Sequence, residues 1–228
     1  VSRALARSHV YRVLAAAFRP PVDPEAEPLH VWAAAVPGVD EMPEPVRQAL
    51  ARLAAASVAV DTAQRVRDHA AVFGHVVLPD CPLYETAAGA TDPFRQPQTL
   101  ADVVGFYRAW GVEVSPGARE RADHLAVELE FMHYLTYREA HALCHAGPDR
   151  VALVRDAERA FLGEHLARWA PAVGRAVAAR SDGWLGAAGS LLEQLLTWEA
   201  ATLGLAEEAL VLTPEWTNPE VEPTEEDL

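Results

Sequence analysis

The chain has no lysine and no isoleucine: all 19 of its basic residues are arginines. That bias reflects GC-rich coding, but it has a chemical consequence. A phosphate loop that depends on lysine and a Schiff-base lysine are both excluded. Cysteine is scarce, with only Cys81 and Cys144, so there is no disulfide framework and the composition suits a reducing compartment. No apolar run approaches the roughly 20 residues needed to span a bilayer. The apolar piece Leu14–Phe18, behind Arg3, Arg7 and Arg12, is too short for a secretory signal, so the expected location is the cytoplasm. Basic residues stop at Arg180, and eleven acidic ones follow. The net charge of −14 argues against a general nucleic-acid binder, which needs a basic face for the phosphate backbone. It does suit basic partners, which an acidic surface attracts.

Half of the 228 residues are hydrophobic, enough for a sizeable core without metal or disulfides. From Pro116 to Pro214 only Pro148 and Pro171 interrupt the chain. Helix interiors exclude proline, so this spacing predicts long helices near 122–145, 149–169 and 184–208. Periodicity adds a helix at 98–110, with Leu100, Val103, Val104 and Tyr107 on one face, and others near 2–18, 29–35, 43–57 and 61–74. The best strand signal, Val76-Val77-Leu78, is very short. The expected fold is an all-α, single-domain bundle of about 8–12 helices. The boundaries are an all-α domain over 1–213, with an N-terminal half 1–77, a long ordered loop 78–97 and a C-terminal half 98–213. An acidic tail, 214–228, follows.

The helix after Asp123 is the most informative. Asp123 stands where an N-cap would, able to accept from free amides of the first turn. Leu125, Leu129, Met132 and Leu135 form an apolar stripe, and Glu128 falls inside it. A carboxylate there must be paired, hydrogen-bonded or at the edge of a groove. An ion pair with an arginine of another helix is the structural reading, and a polar anchor for a ligand the functional one.

A metal-dependent helical-bundle enzyme, di-iron or zinc, is the alternative class. Glu130 and His133 make a Glu-x-x-His step, but di-iron bundles need a second one, and the only other match, Glu27 to His30, contains Pro28. His141, Cys144 and His145 cluster without a second ligand pair, and the helix dipole accounts for histidines at that end. Nucleophilic catalysis finds no Gly-x-Ser-x-Gly elbow, and Cys81 between Asp80 and Pro82 sits in a setting that disfavours a thiolate. The residues therefore imply no catalytic group, metal or cofactor of the chain's own.

Four stretches in order are familiar: Cys81-Pro82-Leu83-Tyr84-Glu85; Asp92-Pro93-Phe94-Arg95-Gln96-Pro97; Leu100-Ala101-Asp102-Val103-Val104-Gly105-Phe106-Tyr107 with Trp110-Gly111; and Asp123-His124-Leu125-Ala126-Val127-Glu128-Leu129-Glu130-Phe131-Met132. Together they resemble the TorD/DmsD/NarJ family of redox-enzyme maturation chaperones, from the first helix (Tyr11 to Phe18) to about Trp169. Phe161-Leu162, His165-Leu166 and Trp169 match a weaker part of the pattern. The resemblance is closest to chaperones of dimethyl-sulfide, ethylbenzene or selenate/chlorate-type oxidoreductases. It implies a non-catalytic all-α protein that binds the apo catalytic subunit of a molybdopterin-dependent oxidoreductase, at its twin-arginine leader or its mature part, before cofactor insertion and export. It also implies that Tyr84, Glu85, Asp123 and His124 contribute to client binding. An arginine-bearing leader needs carboxylates beside an apolar groove. Glu85, Asp123 and Glu128 supply the first, and Tyr84, Trp110, Leu125 and Phe131 the second. The expected client site is therefore Tyr84, Glu85, Trp110, Asp123, His124 and Glu128. Monomer and homodimer both remain open.

Overall fold

The computed structural model describes residues 1–21, 28–74, 81–88 and 96–205. Among these the architecture is all-helical, with ten α-helices and no strand beyond one isolated bridge. The N-terminal half holds α1 (Ser2–Phe18), α2 (Leu29–Ala34), α3 (Glu44–Ser57) and α4 (Thr62–Phe73). Then come α5 (Glu85–Ala88), α6 (Gln96–Ala109), α7 (Leu125–His145), α8 (Pro148–Glu164), α9 (Ala170–Arg180) and α10 (Trp184–Thr202). Short 3-10 turns occupy Val39–Glu41 and Leu166–Arg168.

Proline marks where helices begin: Pro45, Pro148 and Pro171 all lie in first turns, where the missing N–H removes no intrahelical bond. Asp61 caps α4 by accepting from the Gln64 amide at 2.7 Å, and Gly74, at φ +70°, ends it.

Helix α1 is the axis of the molecule. Val10, Tyr11, Val13, Leu14, Ala17 and Phe18 are all buried, so it is covered around most of its circumference. Its main partner is α7, which at 21 residues runs about 32 Å. Helices α9 and α10 form an antiparallel pair, and α10 also packs on α3. One core cluster joins the two halves, running from Val10 and Leu53 to Met132, Phe161 and Leu192. Arg65 of α4 donates to the Ala16 carbonyl at 2.9 Å and lies over the Trp184 ring, whose Nε1 donates to Asp68 at 2.8 Å; these contacts clamp α4 to α1 and α10.

Four sequence expectations change. The helix expected over 149–169 ends at Glu164, and a 3-10 turn follows. A helix not foreseen, α9, starts at Ala170 because Pro171 opens it instead of separating two others. The stretch expected as loop over 78–97 contains the single turn α5 and the first residues of α6. The helix expected over 184–208 ends at Thr202, with Gly204 at φ +63° just past it. The weak strand signal at 76–78 and the tail 214–228 lie outside the described residues.

Candidate functional site

The loop before α5 lies across the start of α7. The Glu85 amide donates to the Asp123 carbonyl at 2.9 Å, and the Leu125 amide donates to the Leu83 carbonyl at 2.7 Å. Tyr84 and His124 thereby form an antiparallel bridge, their rings edge to face with centroids 5.0 Å apart. Tyr84, Glu85, Asp123 and His124, nearly forty residues apart in sequence, are thus brought together by backbone pairing.

The cap is not where the sequence placed it. His124 is the N-cap of α7, its Nδ1 accepting from the Ala126 amide at 3.1 Å. Asp123 instead serves α5. Its Oδ2 accepts from the Thr86 hydroxyl at 2.6 Å and from the Thr86 amide at 3.3 Å. The same carboxylate is gripped by Arg121, with Nε 3.0 Å from Oδ1 and Nη2 2.8 Å from Oδ2. This is the two-pronged geometry in which guanidinium pairs best with carboxylate. Arg121 Nη2 also donates to the Thr86 hydroxyl at 2.7 Å, and its Cζ lies 4.8 Å from the centre of the Tyr84 ring.

Asp123 and His124 are almost completely buried, Tyr84 is half-buried, and the Arg121 side chain is 55% exposed. The Tyr84 hydroxyl donates to Glu120 at 2.6 Å. Partial burial and that carboxylate raise its pKa to about 12. His124 is pushed the other way, to about 4, mainly because burial disfavours imidazolium. Its Nε2 lies 3.6 Å from Glu120, but the ring is neutral at physiological pH and the contact is no ion pair. Neutrality also leaves Nδ1 free to accept from Ala126.

Beneath this surface lies a second polar layer. Glu85 meets His165, at the end of α8, with Nδ1 3.1 and 3.2 Å from its two oxygens. Phe106 and Phe161 pack on the His165 ring. Glu128 is fully buried, and of its two sequence readings the ion pair with an arginine is not the one found. Its Oε2 accepts a long 3.4 Å bond from Trp169 Nε1, and Oε1 has no partner among the described residues. Burial, reinforced by the charges of Glu85 and Asp123, raises its pKa well above the usual carboxylate value.

Trp110 stands apart. Its carbonyl accepts from the Tyr134 hydroxyl at 3.1 Å, more than two turns along α7 from His124. Leu125 and Phe131, expected to line a groove, are core residues; Phe131 packs against Tyr107 and Phe161. A shallow apolar cleft does lie beside Ala122, lined by Val104, Tyr107, Val112 and Val114 with Arg108 and Glu113 at its rim. The Tyr107 hydroxyl donates to the Ala122 carbonyl at 2.8 Å, tying that cleft to the residue before Asp123. Sequence reasoning passed over Glu120, Arg121 and Thr86; an Arg-x-Asp step before a helix was the available signal for Arg121.

The residues weighed for metal are otherwise engaged. Glu130 pairs with Arg19 at 2.5 Å, and His133 Nδ1 meets the Ser8 hydroxyl at 2.8 Å. The rings of His141 and His145 meet at a tilt, centroids 4.8 Å apart, at the exposed end of α7. Glu27 lies outside the described residues. Among those described, no group of three or more His, Cys, Asp or Glu is arranged to hold a metal ion, and no helix is long and apolar enough to cross a membrane.

Residues 39–174, more than half of the chain and including every residue of the site, match the family described as nitrate reductase delta subunit. The chain is 35% identical over 105 residues to the selenate reductase assembly chaperone protein of Thauera selenatis, covering 46% of this chain and 53% of that one. It is 34% identical over 97 residues to the perchlorate reductase assembly chaperone protein of Dechloromonas aromatica (strain RCB), covering 42% and 41%. With the chlorate reductase assembly chaperone protein of Ideonella dechloratans the figures are 39% over 72 residues, covering 32% and 36%. The matches span about half the length, or less, of these relatives. By the extent of the family match, the chain belongs to the nitrate reductase delta subunit family.

Proposed function

We propose that this chain is an assembly chaperone, not an enzyme, and that it binds the apo catalytic subunit of a molybdenum-cofactor oxidoreductase in the cytoplasm. The contact is made at the client's twin-arginine leader, and release follows cofactor insertion. The observation that carries the reading is the surface around Asp123. A buried carboxylate there is forked by a guanidinium that lies on the face of Tyr84 and touches the Thr86 hydroxyl. Carboxylate, hydroxyl and aromatic face are what an arginine side chain needs from a receptor. The apolar cleft beside Ala122 offers a place for the leader's apolar residues. The net charge of −14 would draw a basic leader in and make binding weaken with salt. The three named relatives are assembly chaperones of reductases, which supports a client of that class.

The test is binding of a synthetic leader carrying two adjacent arginines, together with co-purification of the catalytic subunit. Asp123→Asn keeps an acceptor for Thr86 but loses the charge. It is expected to weaken leader binding about tenfold or more, since charge-assisted bonds contribute about 1.5–3 kcal/mol, while the helical spectrum is retained. Equal affinity of the folded variant and the parent for the leader would place the client elsewhere.

A further inference from the structure

The group that fills the arginine-binding surface is the chain's own. Arg121 satisfies both oxygens of Asp123, donates to Thr86 and covers Tyr84, yet more than half of its side chain faces solvent. Asp123, by contrast, is fully buried. In the closed arrangement an incoming guanidinium would find its carboxylate taken. Arg121 is only two residues from Asp123, so it can swing out without moving a helix, whereas Asp123 is fixed by Thr86 and by the pairing of 83–85 with 123–125.

We propose that Arg121 is an intramolecular plug, a stand-in for a client arginine that must be displaced before the client can seat on Asp123, Thr86 and Tyr84. This rests on the leader-binding reading above and adds its regulation. The physical logic is competition between like groups. The plug keeps a buried carboxylate from standing unpaired in the empty chaperone, which would be costly. In exchange it lowers the apparent affinity by the fraction of time the site is open. A leader bearing two guanidiniums displaces it, because the second supplies contacts that Arg121 has no counterpart for. A lysine cannot reproduce the fork, so the plug also sets a preference for arginine over lysine.

The experiment uses the full chain with Arg121→Ala, and Arg121→Lys as the milder variant, each checked for helical content. The first probe is N-acetyl-arginine amide, with N-acetyl-lysine amide as control. Arg121→Ala should melt below the parent, and the arginine amide at millimolar concentration should raise its melting temperature. The lysine amide should not, and the parent should respond to neither. The second probe is the twin-arginine leader peptide. If the plug is open about a tenth of the time, its removal tightens binding about tenfold. Arg121→Lys, which keeps the charge but not the fork, should fall between. An amide response without leader binding in any variant leaves the plug standing and overturns the leader reading. Leader binding that is unchanged or weaker in folded Arg121→Ala overturns the plug and leaves that reading intact. Absence of the amide response in both variants also overturns the plug. Should Arg121→Ala fail to fold, the same two readouts on Arg121→Lys decide.

Discussion

At the scale of single residues, His124 shows how a cap can carry a pH dependence. Its Nδ1 must be bare to accept from Ala126, and its surroundings are buried, so the folded state holds the neutral ring with a pKa of about 4, against about 6.5 when unfolded. As pH falls from 6.5 towards 4, the unfolded chain takes up a proton that the folded chain refuses, and stability is lost over that window. The shift corresponds to about 3 kcal/mol, complete only below pH 4. His124→Asn retains a capping acceptor but cannot titrate. Its melting temperature should therefore fall less steeply than the parent's between pH 6.5 and 4; parallel profiles would show that other groups govern that range. Buried Glu128, whose pKa is moved upward, acts with the opposite sign above pH 4.5 and does so in parent and variant alike, so it drops out of the comparison.

At the scale of helices, α9 and α10 approach closely enough that side chains are excluded at their crossing. A Cβ on Gly189 would come within 2.5 Å of the Gly174 carbonyl oxygen and 2.9 Å of the Ala178 amide nitrogen, both backbone atoms that cannot rotate away. Gly189→Ala gains up to about 1 kcal/mol of helix propensity, but prising the helices apart costs about 1–3 kcal/mol or more. Gly105, exposed in α6 with nothing within 4 Å of its would-be Cβ, meets no such obstacle. Thermal melts should show Gly189→Ala destabilised and Gly105→Ala stabilised; a stabilised Gly189→Ala would mean that the crossing is looser than described. Much of the helical layout was legible in the sequence because it is local. Proline positions and apolar periodicity place α1, α3, α4, α6 and α7 to within a few residues. What escaped was decided across the fold. Gly163 lies inside the last turn of α8, and no proline or glycine follows Glu164 before Pro171; the chain turns at His165, whose ring binds Glu85. Pro171 looked like a separator because a first-turn proline and a between-helix proline read alike. Asp123 was legible as a cap, but its helix is α5, reached only through tertiary pairing. The expected gathering of Tyr84, Glu85, Asp123 and His124 came from family resemblance, and the guanidinium among them from the structure alone.

At the scale of the molecule, one buried arginine ties four helices together. Arg7 of α1 bonds at 2.6 Å to Glu139 of α7, to Glu158 of α8 and to both oxygens of Glu199 of α10. Burial opposes its charge, but Glu199 and Glu158 more than offset this, so Arg7 stays protonated. The node holds three carboxylates against Arg7 and the half-exposed Arg155, which pairs with Glu139 at 2.7 Å. Two cations balance two of the three anions, and the third carboxylate falls to Glu158. Its pKa is raised to about 7, by burial first, with Glu139 and Glu199 adding to it against the pull of Arg7. Its Oε1 has no partner among the described residues. The sign is the reverse of the usual acid. Below pH 4.5 both states hold the proton and nothing is lost. As pH rises from about 4.5 to 7, the unfolded chain releases a proton that the folded chain keeps, so stability falls, by up to about 3 kcal/mol above pH 7. Glu158→Gln reproduces the neutral acid, with a carbonyl for Arg7 and a donor on the far side. It should match the parent near pH 5 and melt several degrees higher at pH 8, given about 2–4 °C per kcal/mol in a chain of this size. A variant that melts lower than the parent at pH 8 would show that the charge on Glu158 is needed by Arg7, and that the node takes up its proton elsewhere.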